Sequence, residues 1–150
     1  MSEVWKPSVT VAAVIERAGA FLLVEEEARG RIVFNQPAGH WEPGETLPDA
    51  CTRETLEETA HHFRPDGVVG IYRWHFSEAA VTFLRFAFCG TVTGAEPGRA
   101  LDREIRRAVW MTAEEIRAVQ ARHRSPLVLA CIEDYLAGRR YPLELLRHYE

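Results

Sequence analysis

Apolar and β-branched residues dominate positions 8–15 and 21–24, and Arg17-Ala18-Gly19 between them supplies a turn. The pattern reads as two strands forming an opening hairpin. The run "RIVFNQPAGH" at 31–40 gives a short strand that ends where Pro37 and Gly39 force the chain to turn. A loop then leads into a helix. Thr46 with Asp49 is a weak capping box and Pro48 is tolerated in a first turn, so the helix is predicted from near Leu47 to about His61. Beyond Pro65 and Gly67, "VVGIYRWHF" (68–76) and "VTFLRFAFCGTV" (81–92) are strand-like, the second most strongly. A loop with Gly94, Pro97 and Gly98 separates them from a last strand at 108–111. Thr112 and Glu115 form a capping box opening a helix over 112–121, and Ser125-Pro126 opens another that closes at Gly138. Strands first, helices last and one helix inserted mid-chain point to an α/β (α+β) fold, a mixed sheet with helices packed on its faces.

Composition narrows this picture. With 150 residues, 47% hydrophobic and 27% charged, the chain fits one globular domain over 1–150, without repeats or linkers. The formal charge of −4 argues against a nucleic-acid or anionic-membrane partner, so any bound polyanion is small or metal-bridged. Cys51, Cys89 and Cys131 are odd in number and widely spaced, which fits buried thiols rather than a disulfide framework or a zinc site. The N-terminus has no apolar run behind a basic head and no segment is long enough to cross a bilayer, so a cytoplasmic location is expected.

The inserted helix carries the chemistry. At about 100° per residue, Leu47, Ala50 and Cys51 share a stripe with Glu54, Glu57 and Glu58, so an apolar face becomes acidic. Carboxylates three and four apart repel, and partial burial adds a desolvation cost. Arg53 can neutralise one of them. Hard divalent cations such as Mg²⁺ would most simply meet the rest, since they take oxygen ligands and bridge to substrate phosphates. A solvated helix face is the plainer alternative. Against it stand the continuity with the apolar stripe, the lack of i,i+4 lysines and the tight Pro/Gly loop just upstream.

Gly39, five residues, Glu45, seven residues, then "RETLEET" from Arg53 to Thr59 resembles the Nudix box: Gly, Glu, then Arg-Glu-hydrophobic-x-Glu-Glu-x-Gly-hydrophobic. The chain departs from it at Ala60, where the box closes with glycine, so the helix is expected to run on through His61 and His62. Thr55 and His61 also replace hydrophobic residues. The segments "WKPSVTVA", "NQPAGHWE", "FLRF", "RSPLV" and "RRYPLE" extend the resemblance, toward the NudJ-type branch of phosphatases that act on nucleoside di- and triphosphates and thiamine-type pyrophosphates. The resemblance implies an α/β/α sandwich with a mixed sheet, and phosphoanhydride hydrolysis by metal-activated water with Mg²⁺, for which Mn²⁺ can substitute. It implies Glu54, Glu57, Glu58 and the Gly39 carbonyl as metal ligands, with Arg53 and Glu45 bracing them. The general base is either Glu54 or an outside carboxylate, with Glu104 the first candidate and Asp102 the next.

Substrate contacts rest on thinner signals. Arg85 interrupts the apolar run "FLRFAF" and either meets a phosphate or lies on an exposed strand face. Phe34, Trp41, Tyr72 and Trp74 are aromatic enough to stack on a base or pyrimidine ring, or to pack as core. His61, His62 and His75 lack metal-site spacing and read as structural, and the "IRRAV" and "ARHR" clusters read as solvated surface. The partner expected is a small phosphorylated molecule, with the protein a monomer or homodimer. Two alternatives remain: a nucleotide-sensing module of the same fold without turnover, and a hydrolase of a dinucleoside polyphosphate, nucleotide sugar or ADP-ribose.

Overall fold

A computed structural model describes residues 3–150. Its strands are β1 (Ser8–Val14), β2 (Glu16–Arg17), β3 (Ala20–Ala28), β4 (Arg31–Asn35), β5 (Ala38–His40), β6 (His61–Phe76), β7 (Val81–Ala95) and β8 (Ile105–Thr112). Its helices are α1 (Leu47–Thr59), α2 (Ala113–Ala118) and α3 (Leu127–Leu136). One sheet has the order β5-β1-β7-β6, with β1 and β7 parallel and the outer pairs antiparallel. In the other, β3 pairs β8 along one edge and β2 and β4 along the opposite edge, all antiparallel.

The opening hairpin is therefore corrected. β1 pairs with β5 and β7, β3 with β8, and only Glu16–Arg17 folds back on β3. The chain leaves the first sheet after Val14 and enters the second at Glu16, with the Ile15 carbonyl accepting from the Leu22 N–H at 3.0 Å. It crosses back at Gln36-Pro37, where the Pro37 carbonyl accepts from Ala13. The turn residues set only the tight local connection; apolar partners distant in sequence decided the rest.

Two buried clusters explain the layering. Val11, Ala13, Ile15 and Leu22 pack with Leu47, Ala50 and Cys51 of α1. Val14, Phe21 and Leu23 pack with Cys131 and Ile132 of α3 and Ile116 of α2. Neighbouring residues of β1 and β3 thus point into opposite layers, which is why these strands read as continuous apolar runs and not as alternating ones. The arrangement is the α/β/α sandwich with a mixed sheet that the sequence implied.

Several boundaries differ from expectation. Helix α1 stops at Thr59, and Ala60 takes a left-handed cap at φ 58°, ψ 23° with its N–H donating to the Leu56 carbonyl at 2.9 Å. His61 and His62 are therefore the first residues of β6, which reaches them by absorbing Pro65 and Gly67 at register shifts. Gly94 lies inside β7, and α2 is only six residues long before a 3₁₀ turn at Gln120–Arg122.

Candidate functional site

Residues from both sheets and from α1 converge on a cavity of about 340 Å³. Its wall on the α1 side carries Glu54 and Glu58; β5 contributes Ala38, Gly39 and His40. The geometry begins at Gly39. Its backbone φ is unremarkable, but a Cβ placed there would overlap the Glu54 carboxylate, so glycine is required for the carboxylate to lie against the strand. One residue earlier, the Ala38 N–H donates to Glu58 Oε1 at 2.9 Å.

Arg53 organises the helix side. Its Nε and one terminal nitrogen donate in a fork to Glu45 Oε2 and Oε1 at 3.0 and 2.8 Å, and the same terminal nitrogen also reaches the His40 carbonyl at 3.0 Å. The other terminal nitrogen donates to Glu54 and Glu57 at 3.0 and 2.7 Å. A planar guanidinium is suited to this, since one rigid group fixes three carboxylates and ties α1 to the preceding loop. Glu45 keeps its place through a further bond from the Glu42 N–H, and the guanidinium holds its carboxyl below the usual range.

The third contributor comes from the segment between β7 and β8. The Asp102 N–H donates to the Glu57 carbonyl at 3.0 Å, satisfying one of the free carbonyls at the end of α1. One carboxylate oxygen each from Glu54, Glu57 and Asp102 then lie within 4.8 Å of one another. Glu104 lines the cavity but stands outside that group.

The electrostatics are those of a site short of positive charge. Burial pushes the Glu58 carboxyl up to about 9; the Ala38 amide opposes this, and the charges of Glu26, Glu54 and Asp102 reinforce it. Glu54 is raised to about 7, again chiefly by burial; Arg53 pulls it back, while Glu57 and Asp102 push it further up. Asp102 is raised by burial and then by Glu57 and Glu104. One arginine does not balance this cluster, and the all-oxygen donor set matches what a hard divalent cation takes. The residues present therefore fit a metal ion, held by Glu54 and Glu57 with Asp102, and Glu58 and Gly39 line the same cavity.

Across the cavity, Arg85 is only 6% exposed. Its guanidinium donates to Gln36 Oε1 at 2.9 Å and Asn35 Oδ1 at 3.1 Å, and no carboxylate pairs with it among the described residues. The exposed-face reading of Arg85 is thus excluded. Trp74 and Phe83, cross-strand partners on β6 and β7, line the same cavity with rings stacked at 5.7 Å and 16°.

Other expectations are corrected. Phe34 is 3% exposed, packed in the core with the Arg122 guanidinium over its ring, so it cannot stack on a ligand. Trp41 is 45% exposed, donates through Nε1 to the Glu45 carbonyl and is not among the residues that line the cavity. Tyr72 donates to Asp134 and packs against the α3 layer. The "ARHR" cluster is not plain surface: Arg124 donates to buried Glu26 at 2.7 Å and lines the cavity, and Arg122 pairs with Glu25. Glu26, Asn35, Phe83 and Arg124 were not read from the sequence; the acid-rich "VEEEA" run gave no hint of which glutamate turns inward.

Residues 5–130 match the NUDIX domain family. The chain is 42% identical over 143 residues to the phosphatase NudJ of Escherichia coli K12, covering 95% of this chain and 92% of that protein. Among solved structures, a NUDIX hydrolase from Nitrosomonas europaea superimposes with a TM-score of 0.94 at 56% identity, covering 96% of this chain and 98% of the other. The E. coli ORF135 protein does so with a TM-score of 0.71 at 25% identity, over 89% and 91%.

Proposed function

Because the chain belongs to the Nudix hydrolase family, we propose that it hydrolyses the phosphoanhydride bond of nucleoside di- and triphosphates and thiamine-type pyrophosphates, using Mg²⁺ with Mn²⁺ as a substitute. The observation that carries this reading is the convergence of Glu54, Glu57 and Asp102 oxygens within 4.8 Å, beside a glycine that leaves room for the Glu54 carboxylate. The relatives named phosphatase and hydrolase support the reaction class.

A divalent ion held there supplies charge neutralisation at phosphate oxygens and a more acidic water. The chain's own residues do the rest. Glu54, Glu57 and Glu58 with the Gly39 carbonyl form the ligand set, and Arg53 and Glu45 hold their rotamers. Asp102 joins that set as a donor from outside the helix, which leaves Glu54 as the general base. Arg85 receives a substrate phosphate: a buried guanidinium balanced only by amide oxygens is costly until an anion arrives. Trp74, with Phe83, offers the face on which a planar ring stacks. On a strand, Phe83 and Arg85 lie on one face roughly 7 Å apart, a separation that suits a ring and a nearby phosphate of the same molecule.

The test is phosphate release with Mg²⁺ from nucleoside di- and triphosphates, thiamine pyrophosphate and ADP-ribose, comparing the native chain with Glu57→Gln, Asp102→Asn and Glu104→Gln. We expect the first two to lower kcat by about 100-fold or more and the third by less than about tenfold. Turnover indifferent to Glu57→Gln would remove the cluster from the chemistry, and ADP-ribose as best substrate would move the protein to the nucleotide-derivative hydrolases.

A further inference from the structure

A second recess of about 760 Å³ adjoins the acidic cavity and shares Trp74, Phe83, Arg124 and Ser125 with it. Its character is inverted. Where the first holds Glu26, Glu54, Glu58 and Asp102, the second is lined by Arg29, Arg31 and His123, with Glu78 its lone carboxylate among the lining residues. Arg31 donates to the Ala121 carbonyl, and Arg29 lies over the Phe76 ring at 4.7 Å; neither pairs with a carboxylate among the described residues. Arg29 is set by the turn between β3 and β4, where it and Gly30 have φ of 52° and 74°. Trp74 lies near-parallel to Phe76, at 5.1 Å and 14°, as it does to Phe83. The aromatic run thus leads from the acidic cavity into the basic recess.

A ring resting on Trp74 and Phe83 would have metal-bound phosphates on one side and unpaired guanidinium groups on the other. Two guanidinium groups without carboxylate partners at one rim attract an anion, and a phosphate offers the oxygens for bidentate contact. We infer that the basic recess is a second phosphate subsite, for substrates that carry a further phosphate on the sugar or ring side, such as a nucleotide phosphorylated at both its 5′ and 3′ positions. The inference rests on the proposed placement of the ring at Trp74.

Calorimetry with adenosine 3′,5′-bisphosphate and adenosine 5′-monophosphate in Mg²⁺ tests it without requiring turnover. The native protein is expected to bind the bisphosphate about tenfold more tightly, the worth of one charge-assisted hydrogen bond. The double variant Arg29→Gln, Arg31→Gln should bring the ratio of the two dissociation constants close to one, with an unchanged thermal midpoint showing that it folds. Equal affinities in the native protein, or a preference that survives the double variant, overturn the subsite. Failure of the hydrolase reading is seen elsewhere, in the loss of turnover on every substrate of the panel.

Discussion

Glu58 shows what a single carboxylate costs the fold. It is 8% exposed, has one amide donor, and its carboxyl is raised to about 9 by burial and by neighbouring acids. With the folded-state value above the unfolded one, the folded chain holds the proton more tightly. Stability from this group is full below pH about 4.5 and is lost as pH rises toward 9. Glu58→Gln keeps the acceptor for the Ala38 N–H without the charge. In a chelator it should be more stable than the native chain at pH 7 by on the order of 2 kcal/mol, with the gap closing below pH 4.5. Urea titrations at several pH values measure this; a gap that is absent or flat with pH would mean the carboxylate is not strained. Activity should fall in the same variant, because the charge that burdens the empty fold is what a cation needs.

Helix α1 shows the next level. Its start follows from local chemistry, with Thr46 Oγ1 accepting from the Asp49 N–H and Pro48 in the first turn. Its end does not: Ala60 occupies a left-handed cap that glycine would take at less cost. The cap persists because the Ala60 carbonyl accepts from Glu96 and β6 must begin at His61 to pair with β7. Ala60→Gly should therefore stabilise the protein by about 0.5–1 kcal/mol, a rise of about 1–4 °C in Tm. A lower Tm would show that the loss of Cβ packing and the added freedom of the unfolded chain outweigh the relief. This helix also marks how far the sequence was legible. Its acidic stripe, Gly39, Glu45 and Arg53 could be read because their spacing is local to one loop and one helix. The meeting of Asp102 with Glu57 could not be read, since a backbone bond and the approach of two carboxylates join the end of α1 to a segment 45 positions further along. Phe34 was misjudged as a ring contact because aromatic type does not tell core from rim. The β1–β3 hairpin failed because pairing of β1 with β7, Ser8 with Phe83, spans 75 positions that no turn signal reports.

At the scale of the molecule, the proposed ligand groups belong to elements far apart in the chain: β5, α1 and the segment before β8. The unfolded chain does not hold them together, so a divalent ion binds the native state almost exclusively and its binding free energy adds to stability. Mg²⁺ at about 100 times its dissociation constant should then contribute about 2.7 kcal/mol, on the order of 5–10 °C in Tm for a domain of this size. Because Glu54 and Glu58 are raised to about 7 and 9, binding must displace protons, and the increment should grow from pH 6 to pH 8. Asp102→Asn removes one donor from a distant element and should shrink the Mg²⁺ increment by more than half while leaving the metal-free Tm nearly unchanged. Calorimetric scans with Mg²⁺, and with NaCl at matched ionic strength, separate specific binding from screening of the acidic cavity. An equal rise with NaCl, or an undiminished one in Asp102→Asn, would mean that the three carboxylates do not act together on one ion. If Mg²⁺ alone raises Tm, and does so less in the variant, the cavity that joins the two sheets is also the place where metal binding and global stability are coupled.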